Sequence, residues 1–150
     1  HDQGAAMLGG IAGHAGLFSN AQESALIMQM LLNGGRLNGL QLLKPETIAL
    51  FNTVHFRENE NRRGLGFDKP PIEVNPRFRN PAEPASPESF GHTGFTGTFV
   101  WADPVNELVV VFLSNRVHPD ASNPLLMRMN IRTNIHELFY KAISLVNTES

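Results

Sequence analysis

The chain contains no cysteine among its 150 residues, which excludes a disulfide framework and any thiolate metal site and leaves the redox compartment unread. Neither sign of charge is in large excess. Twelve basic and 14 acidic residues give a formal charge of -2, so nothing electrostatic points to nucleic acid or an anionic membrane as partner. Long hydrophobic runs are also missing: the uncharged stretches are too short, or too broken by glycine, to span a bilayer, and no basic-then-apolar leader opens the chain. Any targeting signal is expected outside the residues given. The one fragment of a zinc signature, His136-Glu137, has Tyr140 where the second histidine of H-E-x-x-H belongs, so no metal and no other cofactor is expected.

What is present fits one domain, long enough to bury roughly 70% of the surface its unfolded form exposes. Residues 1–18 hold five glycines among small apolar residues and read as a tight loop of interior sequence, with His1 and Asp2 as a disordered end. Ser19 or Asn20 can cap a helix from Ala21 to Asn33 that stops at Gly34. Pro45 with Glu46 starts a shorter helix to about Asn52 that is expected to bury Ile48, Leu50 and Phe51, closing a helical region over 19–55. Residues 56–88 carry a charged cluster and six prolines between Pro70 and Pro87, and read as a long surface excursion in which only RGLGF resembles a strand.

From 89 to 116 the pattern is extended. Thr98–Ala102 and Leu108–Leu113 are rich in β-branched and aromatic residues on either side of the turn Asp103-Pro104-Val105-Asn106, which predicts a hairpin. VVVFL is apolar on both faces and reads as a central strand covered on each side. A C-terminal helix is expected over 123–147, its apolar positions Ile131, Ile135, Leu138, Phe139, Ala142 and Ile143 covering one face of the sheet. The fold class is therefore α+β: an antiparallel sheet, made of the hairpin and the strand before it, flanked by helices.

The chemistry-bearing stretch is Ser89–Thr98, SFGHTGFTGT. Acyl transfer needs rigid backbone donors where an oxyanion develops, and an exposed strand beside a nucleophile supplies one. Gly94 and Gly97 allow close approach, Thr93 offers a hydroxyl to a substrate carboxylate, and His92 offers a cation or a hydrogen-bond donor beside it. Taken alone, HTG is more often a turn with a capping threonine.

The flanking words reverse that balance. HTG resembles the third motif of the penicillin-recognising serine hydrolases, which include class C β-lactamases, D-Ala-D-Ala carboxypeptidases, penicillin-binding proteins and related esterases. GGIAGHAGLFSNAQESALIMQMLLNGG is similar to the loop and helix that follow the second motif there, and WADPVNELVVVFLSNRVHP to the last two strands. The set HD, AGHAGLFS, RRGLGFDKP, FGHTGFTGT and FLSNRVHP resembles most the modules appended to bacterial family-3 glycoside hydrolases, the β-N-acetylglucosaminidases. The resemblance implies a partial β-lactamase or transpeptidase-like fold, a periplasmic or secreted location, and a small-molecule or muropeptide substrate in the complete protein.

By motif match His92, Thr93 and Gly94 carry over as the third motif and Phe95 as the oxyanion amide, with His14 and Thr96 as further substrate-facing candidates. The other two motifs are absent. No serine stands three positions before Lys44, Lys69 or Lys141, and neither Y-x-N nor S-x-N occurs. The chain is thus expected to be the C-terminal part of such a hydrolase, inactive alone, whose natural partner is the missing N-terminal half of its domain and whose exposed apolar surface favours a homodimer. The rival reading is a noncatalytic binding or spacer module of a cell-wall glycosidase. Arg116 and Arg132 read by default as ion-paired or solvated, Phe99 and Trp101 as strand packing, and Ser19 lacks a neighbour to activate it.

Overall fold

The computed structural model describes residues 2–71 and 80–148. Among the described residues five α-helices, a short 3-10 helix (Arg57–Asn59) and two antiparallel sheets make an α+β arrangement. They run α1 (Gln3–Met7), α2 (Ala21–Leu32), β1 (Arg36–Leu37), β2 (Leu40–Gln41), α3 (Pro45–Asn52), β3 (Phe90–Thr93), β4 (Phe99–Asp103), β5 (Leu108–Phe112), α4 (Leu125–Arg128) and α5 (Ile131–Thr148). Strands β1 and β2 form a small two-stranded ribbon, and the main sheet has the order β3-β4-β5.

Local chemistry accounts for the boundaries. The Asn20 side chain accepts from Glu23 N at 2.9 Å and caps α2, while the Ser19 hydroxyl donates to the Glu23 carboxylate at 3.1 Å. Gly34 and Gly35, at φ +64° and +86°, turn the chain out of α2. Strand alternation splits the core in two. Phe90 and Ala102 pack with Met28 of α2, joined by Leu31, Leu32, Phe67, Val100 and Val109. On the other face Phe99, Trp101 and Val110 pack together. Phe99 and Trp101, each 1% exposed, stack with ring centroids 5.7 Å apart, and the His136 ring of α5 meets Phe99 edge-on at 5.1 Å. The sheet lies between α2 and α5.

Asp103, fully buried at the end of β4, joins three elements. It accepts from Ser86 N at 2.8 Å, Ser86 Oγ at 2.7 Å, Tyr140 Oη of α5 at 2.7 Å, and Val105 N, Asn106 N and Asn106 Nδ2 in the hairpin turn. Burial pushes this carboxyl up, but the bonds from Ser86, Tyr140 and Asn106 outweigh it and hold the group at about 2. Beside it the buried His136 accepts from Ala82 N through Nδ1 at 3.2 Å, leaving Nε2 with no partner among the described residues. Burial pushes this histidine down to about 4.

Several expectations are corrected. Residues 1–18 are not all loop, because Asp2 caps α1, accepting from Ala5 N at 2.7 Å, and is bonded to His14 at 3.0 Å; His1 lies outside the described residues. Helix α3 buries none of its residues, and Leu50 and Phe51 are exposed. The 80–88 part of the long excursion is not all surface, since Ala82 and Ser86 are buried and bonded to α5 and β4 while Glu83, Pro84, Pro87 and Glu88 are exposed; residues 72–79 lie outside the described residues. RGLGF forms no strand, and only the following Asp68 bridges to Gly91. Strand β5 is an edge of the described sheet, not a central strand. The C-terminal helix is two pieces, α4 and α5, separated at Asn130, whose φ is +51°.

Candidate active site

His92 and Thr93 of the HTG motif end β3, at the edge of the described sheet opposite β5, and Gly94 begins the turn after it. The register of β3 pairs Gly91 with Trp101, His92 with Val100 and Thr93 with Phe99. A Cβ at Gly91 would collide with the Trp101 ring, so the glycine of FGHTG makes room for the buried indole. Outside the sheet, Asp68 N donates to Gly91 O at 2.8 Å and Gly91 N returns a bond to Asp68 O at 3.1 Å. This bridge brings the segment Arg62–Lys69 against the motif.

Its consequence is an arginine that the sequence reading did not single out. Arg63 Nη1 pairs with Asp68 Oδ1 at 2.9 Å, and Arg63 Nη2 lies 2.6 Å from His92 Nε2. His92 Nδ1 is 2.7 Å from the Thr93 carbonyl oxygen. That oxygen only accepts, so Nδ1 carries the proton and Nε2 accepts from the guanidinium, which only donates. Both ring nitrogens of His92 are thus occupied. The Arg63 guanidinium therefore stands beside the motif, bonded to His92 and Asp68.

Thr93 is half-buried, and its hydroxyl has no hydrogen-bond partner among the described residues. Beyond it the chain turns tightly through Gly94–Thr98. Gly94 N donates to Thr98 O at 2.9 Å, and Gly97 N donates to Gly94 O at 3.0 Å. Gly97 sits at φ +103°, and a Cβ there would meet Ser114 Oγ and Leu126; one on Gly94 would collide with Thr98 Oγ1. The two glycines therefore serve the packing of the turn. Phe95 projects from the turn at 64% exposure with the Arg116 guanidinium 4.5 Å over its ring. Thr96 is half-buried in the same turn, and its carbonyl accepts from Arg116 N at 2.9 Å.

His92, Thr93, Gly94, Phe95 and Thr96 thus form one contiguous strand end and turn. His14 is held by Asp2 in the N-terminal segment, and no hydrogen bond or ion pair among the described residues joins it to β3. Arg116 and Arg132 are not ion-paired among the described residues; both donate to carbonyls of the turn. Near the other end of the Arg62–Lys69 segment, Lys69 is buried and donates to Asn52 Oδ1 at 2.9 Å and Glu88 O at 2.7 Å. Burial lowers it to about 8. A cavity of about 270 Å³ beside it is lined by Val54, Arg57, Arg62, Lys69 and three prolines. Among the described residues no cluster of three histidine or carboxylate side chains could hold a metal.

Comparison with known proteins fits this geometry. The sequence profile of the Beta-lactamase family matches residues 1–129. A protein of Escherichia coli (strain K12) named "Putative D-alanyl-D-alanine carboxypeptidase" is 41% identical over 118 residues, which are 78% of this chain and 26% of that protein. A protein of the same name from Salmonella enteritidis PT4 (strain P125109) is 42% identical over the same shares. The chain spans about a quarter of the length of the curated relatives it matches. A match over most of the chain, with the HTG strand and its hairpin paired in register, is sufficient: the chain belongs to the β-lactamase family.

Proposed function

We propose that this chain supplies the third-motif side of a serine hydrolase that cleaves an amide or ester bond next to a carboxylate, in substrates of the D-alanyl-D-alanine or muropeptide class. The observation that carries the reading is the strand end Arg63–His92–Thr93, where a fixed cation stands beside a motif whose threonine hydroxyl has no protein partner among the described residues. A substrate carboxylate suits that pair, because a guanidinium and a hydroxyl both donate to it and charge-assisted bonds are the stronger kind. The scissile carbonyl would then lie over the turn, with Phe95 N–H toward the developing oxyanion. The names of the relatives support this substrate class.

The nucleophile and its base are the parts this sequence lacks, since it contains neither S-x-x-K nor Y-x-N. In this reading the rest of the parent protein brings both to the exposed side of β3, and the chain alone leaves a penicillin or an ester intact. Attachment of the parent to a family-3 glycosidase is a finer part of the proposal. The coding sequence upstream of His1 decides it.

The test is turnover of a chromogenic cephalosporin, a p-nitrophenyl ester and a D-alanyl-D-alanine peptide by the isolated chain and by the complete parent. Background rates for the chain and turnover by the parent are expected. Turnover by the chain, or an inert parent that carries an intact S-x-x-K, contradicts the reading.

A further inference from the structure

The turn Gly94–Thr98 is gripped from behind by two arginines far along the chain. Arg116, just after β5, donates from Nε to Phe95 O at 2.8 Å and from its backbone N to Thr96 O at 2.9 Å. Its own place is set by Nη1, which donates to Ala121 O at 3.0 Å, and by stacking on the Phe95 ring. Arg132, in the first turn of α5, donates from Nη1 to Thr98 O at 3.2 Å. With the bond from Gly97 N to Gly94 O, the carbonyls of Gly94, Phe95, Thr96 and Thr98 all have fixed donors.

We propose that Arg116 is a positioning residue for the hydrolytic reaction: by holding the carbonyls of Phe95 and Thr96 it sets the direction in which the Phe95 amide points. The inference rests on the function proposed above, in which that amide faces the oxyanion. The peptide plane carrying Phe95 N–H is anchored at one side by Gly94 O. The following plane is held at Phe95 O by the Arg116 side chain, which restrains the rotation about Phe95 Cα. An oxyanion donor is effective because it is aimed before the charge develops, so loosening its aim acts on the transition state and not on ground-state binding.

Two measurements test this. In the 15N-labelled chain, Arg116→Ala should shift the Phe95 and Thr96 amide resonances and speed their exchange while the β4 and β5 amides stay in place. In the complete parent the same change should lower kcat by roughly 10- to 100-fold, less than the 10²–10³ lost when a donor is removed outright, with KM little changed. Added guanidinium ion should restore part of kcat in Arg116→Ala. Arg116→Lys, which keeps the stem and the charge but not the planar fork, should recover little. A wild-type parent without activity refutes the function proposed above and leaves the amide shifts to decide the positioning role. An active parent in which Arg116→Ala keeps its kcat, a fully active Arg116→Lys, or unmoved Phe95 and Thr96 amides each overturn the inference.

Discussion

Arg63 Nη2 stands 2.6 Å from His92 Nε2, and Asp68 Oδ1 holds the same guanidinium at 2.9 Å from its other side. Residues 29 positions apart are thereby fixed as one unit at the end of β3. The fixing has a visible cause: the Asp68–Gly91 bridge places Asp68 beside the motif strand, and the carboxylate then orients the arginine.

Arg63→Gln removes the charge while leaving a donor. In the complete parent, KM for a substrate with a free terminal carboxylate should rise roughly 10- to 100-fold, the scale of losing a hydrogen bond to a charged group. The KM for a neutral p-nitrophenyl ester should change far less. Equal losses on both substrates would remove Arg63 from carboxylate recognition.

Acid stability should fall in two steps. His136 lies at about 4 in the folded chain against an ordinary 6.5. The unfolded chain therefore binds a proton first, and stability present above pH 6.5 is lost as pH falls toward 4, by roughly 3 kcal/mol. Asp103 is depressed from 3.8 to about 2, so its contribution of about 2 kcal/mol survives to lower pH and is lost between those values. Urea unfolding from pH 7 to pH 4 should show the first step, and His136→Gln should flatten it. An unchanged slope in that variant would contradict the assignment.

Tyr140→Phe deletes one donor from the buried Asp103 carboxylate. A loss of roughly 1.5–3 kcal/mol is expected by chemical denaturation, with the sheet retained, because a bond to a buried charge is removed and the ring is kept. Asp103 should titrate higher in this variant. A loss below about 0.5 kcal/mol, the range of a neutral surface change, would mean that Tyr140 is not a support of the carboxylate.

The N-terminal segment presents Met7, Ile11, Leu17 and Phe18 at 82 to 91% exposure. So much apolar surface on one stretch favours burial against another chain. The isolated chain is therefore expected to self-associate as concentration rises, and sedimentation velocity should show a growing faster species. A single monomeric boundary across that range would contradict the expectation.

The elements that were legible in the sequence are those whose cause is local. Helix α2 was readable because Asn20 and Gly34 mark its two ends, and the β4–β5 hairpin because β-branched runs flank a four-residue turn. HTG itself was readable only through the resemblance of the words around it. What escaped depends on distant partners. Nothing near Asp103 in the chain announces Ser86 and Tyr140 as its donors, and nothing near His92 announces Arg63. The apolar residues of α3 were expected inside, yet no described element covers Leu50 and Phe51. Strand β5, apolar on both faces, has a pattern suited to a strand with neighbours on each side, but β4 is its only partner in the described sheet.

The central claim, that this chain holds the third motif of a serine hydrolase without its nucleophile, is tested most directly by intact-mass spectrometry after incubation with a penicillin. The account predicts an unmodified mass for the isolated chain and a single acyl adduct on the complete parent. An adduct on the isolated chain, or none on a parent that contains S-x-x-K, would contradict it.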